Sequence, residues 1–100
     1  MLAGVTWDDV AEKCRAFAVR ARLAARETAE RQSALSRSAL VWWQGEAAEG
    51  YWRRVQDRVN GLAALSARLE ALALLADELA RSAELMSAAE RAALTSAGQR

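Results

Sequence analysis

The sequence predicts an all-α protein, in which two long helices form an antiparallel helix-turn-helix hairpin. Apolar residues make up 53% of the chain and proline is absent, so helix is favoured over strand. Apolar positions recur at steps of three and four residues on both sides of the middle. The middle, residues 42–52, contains two glycines and four of the six aromatic residues, and we expect the bend there, at Trp43–Gly45.

Chain length and charge indicate a small domain that needs a partner. A single helical-hairpin domain of 100 residues leaves a large part of its surface exposed and is marginally stable alone. The net charge is +1, without the clustered positive charge that nucleic-acid binding requires. We therefore expect association with another protein chain and no binding to nucleic acid.

Helix one is predicted to span about residues 7–42. It begins with a capping box, because Thr6 can accept a hydrogen bond from the amide of Asp9, and the Asp9 carboxylate can accept one from the amide of Thr6. Two parallel apolar stripes follow, and a helix with two stripes usually contacts two neighbours. The main stripe contains Val10, Cys14, Phe17, Ala21, Ala24, Thr28, Leu35 and Trp42, and the second contains Ala16, Val19 and Leu23.

Helix two is predicted to span about residues 47–86. Asn60-Gly61 is a common turn dipeptide, but the apolar steps keep their phase across it, so we expect one continuous helix with an internal glycine. Ser87-Ala88-Ala89-Glu90 resembles a new capping box; the tail 87–100 is predicted to be frayed, with a short extra helix as the alternative. The apolar series contains Tyr51, Val55, Val59, Leu62, Leu65, Leu69, Leu72, Ala76, Leu79, Ala83 and Met86.

The residues for catalysis or metal binding are missing from the sequence. There is no histidine and no glycine-rich phosphate loop, so nucleophile-base pairs, nucleotide cradles and the usual zinc sites lack their parts. Adjacent acids such as Asp77 and Glu78 diverge by about 100° on a helix. Cys14 lies on the apolar stripe and is interpreted as a buried inert thiol, with a cross-chain disulfide or reactive site as the alternative. We expect a protein that is not an enzyme, without cofactor or metal.

The aromatic residues of the bend allow two interpretations. They can form a hydrophobic lid over the end of a small core. They can also be a recognition site, because Trp42 and Trp43 are neighbours that point about 100° apart and cannot both face one seam. Which of the two is exposed stays open. The candidate recognition residues are Trp42, Trp43, Gly45, Tyr51 and Trp52.

Membrane contact is not expected from the sequence. No uninterrupted run approaches the roughly 20 apolar residues of a membrane span. The Trp52-Arg53-Arg54 cluster has the residue types of membrane-surface helices, but Glu49 and Asp57 flank it. The first residues are too short for the apolar core of a signal peptide. These observations predict a location in the cytoplasm, or export by a route without a cleaved signal.

Trp43-Gln44-Gly45 lies between two long predicted helices in a chain of 100 residues, and Ala47, Ala48 and Tyr51 follow it. In these features the chain resembles the WXG family of small secreted helical-hairpin proteins, the ESAT-like substrates of type VII secretion systems. The resemblance covers about residues 6–86. The alanine- and arginine-rich composition, with a single lysine, also suits a GC-rich genome such as those of actinobacteria.

This resemblance implies a hairpin that pairs as a homodimer or heterodimer into a four-helix bundle and is exported folded without a cleaved signal peptide. Trp43 and Gly45 would form the bend, and Trp43 would supply half of a composite export signal. In the family the other half is a tyrosine, three residues and then an acid, after the second helix. The only tyrosine of this chain is Tyr51, with Val55 at the acid position. The chain therefore takes that signal from a partner or is not itself the cargo.

Two functions of different classes follow. The first is a WXG-type secretion substrate or partner subunit that pairs with another WXG-type protein or a toxin helical domain, with a secretion ATPase as a further partner. The second is a self-associating cytoplasmic scaffold with no role in secretion; a membrane-surface hairpin is a third. The predicted partner interface contains Val10, Phe17, Val19, Leu23, Leu35, Val55, Leu62, Leu65, Leu69, Leu72 and Leu79.

Overall fold

A computed structural model describes residues 4–42 and 48–98 as two long helices, with no strand among them. Helix α1 spans Trp7–Trp42 and helix α2 spans Ala48–Gly98. The prediction of an all-α fold is confirmed, and the two helices contact each other as in a helical hairpin. The predicted bend at Trp43–Gly45 lies outside the described residues.

The chain divides into two compact units, and each helix contributes to both. Unit 1 contains Met1–Arg20 and Leu72–Arg100, and unit 2 contains Ala21–Ala71. Each unit is a pair of helix segments, and the single hairpin domain stays a prediction. In unit 1 the segments are antiparallel, because the indole Nε1 of Trp7 donates to Glu90 Oε1 at 3.1 Å while Arg15 Nε donates to Glu84 Oε1 at 2.9 Å.

The start of α1 is the capping box that the sequence predicts. The amide of Asp9 donates to Thr6 Oγ1 at 3.0 Å, and the amide of Thr6 donates to Asp9 Oδ2 at 3.2 Å. Two amides that have no partner within the helix are satisfied in this way. Gly4, just before the cap, has a φ of 78°, a left-handed conformation that glycine adopts without strain.

Helix α2 is continuous through Asn60-Gly61, as the apolar phase predicts. It also continues to Gly98, so the predicted end near residue 86 and the frayed tail are wrong. The reason is that the tail contains no strong helix breaker before Gly98 and is rich in alanine, the best helix former. Ser87 is 7% exposed inside the helix rather than at a new start, and the Thr95 hydroxyl donates to the carbonyl of Arg91 at 2.9 Å.

Small side chains form the contact between the helices in both units. Among the described residues, Val55 is the only buried side chain larger than threonine. From Ala73 to Ser87 on α2 the buried positions follow steps of three and four residues, the spacing of one helix face. The buried residues of both helices are Ala11, Ala18, Ala73, Ala76, Ala80, Ala83 and Ser87 in unit 1, and Ala21, Ala25, Thr28, Val55 and Ser66 in unit 2. We call this set the small-residue seam.

The predicted stripes are displaced by one residue at their large members. Phe17 is exposed and Ala18 is buried; on α2 the same exchange relates Leu79 to Ala80. One residue corresponds to a rotation of about 100° about the helix axis. Helices that meet through alanine can approach more closely than helices that meet through leucine, which leaves the large side chains beside the seam. The other α2 positions with this exchange are Leu65 with Ser66, Leu72 with Ala73, and Met86 with Ser87.

Polar side chains link the helices at particular points along the seam. In unit 2 the Ser66 hydroxyl donates to the carbonyl of Ala25 at 3.0 Å. In unit 1, Trp7 is partly buried and packs with Val10 and Cys14 against the buried cluster of Ala11, Ala80 and Ala83, while its indole donates to Glu90. These contacts join defined residues of α1 and α2.

Replacing Gly61 by alanine is expected to stabilise the protein by about 0.5–1 kcal/mol, because an interior helical glycine has more backbone freedom to lose on folding. A Cβ at this position would meet no atom within 4 Å. The free energy of unfolding, measured by urea denaturation at one protein concentration, tests this expectation. Gly4→Ala is the control; because of its positive φ it should not stabilise. Equal effects of both substitutions would contradict a continuous helix at Gly61.

Ala80→Leu is expected to destabilise the protein by about 1–3 kcal/mol, since the isopropyl group that leucine adds to the methyl group of alanine has no room in a seam of small residues. Ala80 is 0% exposed. The matched control is Ala88→Leu on the exposed side of the same helix, for which we expect a change within about 0.5 kcal/mol. Urea denaturation followed by far-ultraviolet circular dichroism measures both. If Ala80→Leu left the free energy of unfolding unchanged, the helices would not meet through this residue.

Candidate functional site

The candidate site is an apolar groove in unit 1, between the segments of α1 and α2. Phe17, Leu72, Leu75 and Leu79 supply its large side chains, and we call these four residues the Phe17 face. The groove has a volume of about 300 Å³. Phe17 and Leu72 are each 45% exposed, and Leu79 is 55% exposed. Lys13, Cys14 and Ala76 complete the lining.

Helix periodicity brings these side chains together. Leu72, Leu75 and Leu79 are three and four residues apart, so they lie in one row on α2. Phe17 directly precedes the buried Ala18 on α1, just as Leu72 directly precedes the buried Ala73 on α2. The groove is therefore flanked by the first large residues beside the small-residue seam.

Charged residues occupy the other side of the same helices in unit 1. Arg15 is two residues before Phe17, about 200° away around α1, and Asp77 has the same relation to Leu79 on α2. The guanidinium of Arg15 forms an exposed ion pair with Glu84. The hydrogen bond with Glu84, and then the negative charge of that residue, raise the pKa of Arg15. One side of this helix pair suits water, and the other suits an apolar partner.

The residues predicted for a partner interface differ in exposure. Val55 is buried, and four others are half-buried, so the chain itself already covers much of their surface. The half-buried residues are Val10, Leu35, Leu62 and Leu69. The exposed ones are Phe17, Val19, Leu23, Leu65, Leu72 and Leu79. The groove brings together three residues of the predicted interface, Phe17, Leu72 and Leu79.

Sequence reasoning missed Leu75, because it is not a member of the heptad series through Leu72 and Leu79. Its spacing of three from Leu72 and four to Leu79 was the signal that could have identified it. Other large exposed side chains of α2 were also absent from the predicted interface. They are Leu74, Leu85, Met86 and Leu94.

The predicted recognition residues of the bend are described only in part. Tyr51 is 52% exposed, and Trp52 is half-buried. Trp43, Gly45 and the side chain of Trp42 lie outside the part of the chain whose placement is described. The two interpretations of the aromatic bend, lid and recognition site, therefore both stand as predictions.

Other chemistry is limited in residues 4–42 and 48–98. Cys14 is a free, half-buried thiol at the groove. No group of three or more potential metal ligands occurs among these residues. One helical stretch, Glu49–Gly98, is long and apolar enough to cross a membrane by length and composition alone, although the sequence contains no uninterrupted apolar run of that length. Helices of soluble proteins pass the same test, so this carries no assignment.

Comparisons with known proteins return no match to this chain, whether with protein-family models, curated protein sequences or solved structures. Similarity to a characterised protein therefore assigns no function to the groove. The exposed side chains and the sequence features around Trp43 are what indicate a function for this chain.

Proposed function

We propose that this chain is a WXG-type helical-hairpin subunit that pairs with a second helical hairpin, either another WXG-type protein or the helical domain of a toxin. Pairing takes place through the Phe17 face, and the pair is the form that a type VII secretion system handles. The partner supplies the tyrosine-based half of the export signal, since Val55 stands at the acid position after Tyr51.

The observation that carries this proposal is the distribution of side-chain size in unit 1. Small residues fill the contact between the helix segments, while Phe17, Leu72 and Leu79 are about half exposed. Burying such a side chain contributes about 1.5–3 kcal/mol, against about 0.8 kcal/mol for a single methyl or methylene group. These side chains are already about half covered, so about half of that free energy is gained only when a partner covers this face.

A helical partner fits the arrangement of the face. Leu72, Leu75 and Leu79 form a row at steps of three and four, the spacing by which helices interdigitate in bundles. The charged residues Arg15 and Glu84 lie on the other flank of the seam, away from the Phe17 face. The Trp43-Gln44-Gly45 tripeptide between two long helices supports the WXG-type assignment of the pair.

Replacing Leu72 and Leu79 together by glutamate is expected to weaken pairing by at least about 100-fold, because each buried leucine contributes about 1.5–3 kcal/mol. Light scattering measures the pairing, for the chain alone and for the chain mixed with the protein that is encoded by the reading frame next to its gene. Leu74→Glu/Leu85→Glu is the matched control, since both residues are exposed and lie outside the groove. A solitary, stable parent chain in both samples would exclude pairing.

The single cysteine gives an independent readout of the same event. Cys14 lines the groove, so a partner on the Phe17 face should slow its alkylation by N-ethylmaleimide. The protection should disappear in Leu72→Glu/Leu79→Glu and persist in the control variant. An unchanged alkylation rate in a pair that light scattering detects would place the partner on another surface.

Deleting the secretion ATPase of the host is expected to abolish the extracellular form of the chain and to leave its intracellular amount intact. Immunoblots of culture filtrate and cells measure both, with a cytoplasmic marker as the lysis control. A homo-oligomer whose extracellular level does not depend on the ATPase would instead favour the self-associating scaffold. This result would separate pairing from secretion.

A further inference from the structure

A second groove lies in unit 2 and shares no residue with the Phe17 face. Leu35 of α1 lines it together with Tyr51, Arg54, Val55 and Arg58 of α2, around a volume of about 410 Å³. Val55 is buried and Leu35 is half-buried, so the groove has an apolar base. Tyr51 and both arginines are exposed. The groove thus combines an apolar recess with two cationic groups.

The two arginines are arranged to receive acidic groups. Arg54 and Arg58 are four residues apart, so their Cβ atoms lie about 5–6 Å from each other on one face of α2, and their like charges repel. Among residues 4–42 and 48–98, neither guanidinium has an ion pair with a carboxylate. Asp57 directly precedes Arg58 and points about 100° away around the helix. The repulsion is relieved when carboxylates from outside bind.

We propose that this groove binds an acidic amphipathic helix of a partner polypeptide. A leucine-sized side chain of that helix enters the recess over Leu35 and Val55. Two carboxylates four residues apart on the bound helix have the same spacing as Arg54 and Arg58, so each guanidinium meets one carboxylate. Tyr51 lies beside the bound segment. The site is independent of pairing through the Phe17 face.

The features of the groove favour a peptide over other anionic partners. Lipid surfaces attract clusters of four to eight basic residues, whereas two arginines line this groove. Nucleic-acid binding requires a broad positive surface, and the chain has a net charge of +1. A concave recess with an apolar base accommodates one side chain rather than the flat surface of a bilayer.

The test uses a fluorescein-labelled synthetic helix with a leucine between two glutamates that are four residues apart, and its counterpart with glutamines. Fluorescence anisotropy with the full chain is expected to show about threefold to tenfold tighter binding of the glutamate peptide, since both arginines are exposed and two exposed ion pairs together contribute up to about one decade in affinity. Arg54→Gln/Arg58→Gln should remove this preference. Circular dichroism confirms that the variant remains helical.

Arg53→Gln/Arg68→Gln is the matched control, because it removes the same charge from exposed positions of α2 outside the groove. It should retain the preference for the glutamate peptide. The proposal would be overturned if both double variants lost the preference for the glutamate peptide to the same extent, or if the parent chain bound the two peptides with equal affinity. Phosphatidylglycerol vesicles form a separate arm: vesicle binding that depends on Arg54 and Arg58, without peptide binding, would assign the groove to lipid. If the mass of the chain in solution rises with concentration, and Arg54→Gln/Arg58→Gln lowers it while Arg53→Gln/Arg68→Gln does not, the groove would be assigned to a second copy of the chain.

Discussion

Contact between helices through alanine and serine is the constraint on which the other features of this protein depend. Ala73 and Ala80 are completely buried and Ala18 nearly so, and each offers only a methyl group to the facing helix. A methyl group stabilises by about 0.8 kcal/mol when it is buried, so close approach and dispersion take the place of a large hydrophobic core. Two consequences follow: the helix pair is weakly stabilised from within, and its large side chains remain on the outside.

The polar and apolar sides of unit 1 result from the same constraint. Once Ala18 faces the seam, Phe17 lies about 100° to one side of it and Arg15 about 60° to the other, because each residue turns the helix by about 100°. The same rotation separates Leu79 from Asp77 on α2. The exposed Phe17 and Leu79 and the charged Arg15 and Asp77 therefore lie on opposite flanks of the seam, as the positions of a few alanines require.

Local interactions could be predicted from the sequence, and the choice of seam could not. The capping box of Thr6 and Asp9 needs only residues that are close in the chain, and it is present as expected. The continuity of α2 at Gly61 followed from an apolar phase kept on both sides. The seam was misplaced at Phe17 and Leu79, because a rule that ranks residues by hydrophobicity puts the largest ones inside. In this protein close packing of small residues determines which helix face is buried. The hydrophobicity of an alanine next to a phenylalanine or leucine does not indicate that the alanine is the buried one.

The alanines of the seam also do little to fix the position of one helix segment along the other. If α2 slid by seven residues, or about 10 Å, Ala80, Ala83 and Ser87 would take the places of Ala73, Ala76 and Ala80, so these three positions would keep small side chains, while Glu90 would enter the place of Ala83. Side chains that form a hydrogen bond with one particular residue of the other helix oppose such a translation. In unit 1 these are the indole of Trp7 on Glu90 and the guanidinium of Arg15 on Glu84. In unit 1 the alignment of the two helix segments therefore depends more on these polar contacts than on the alanines, which recur at the same spacing along α2.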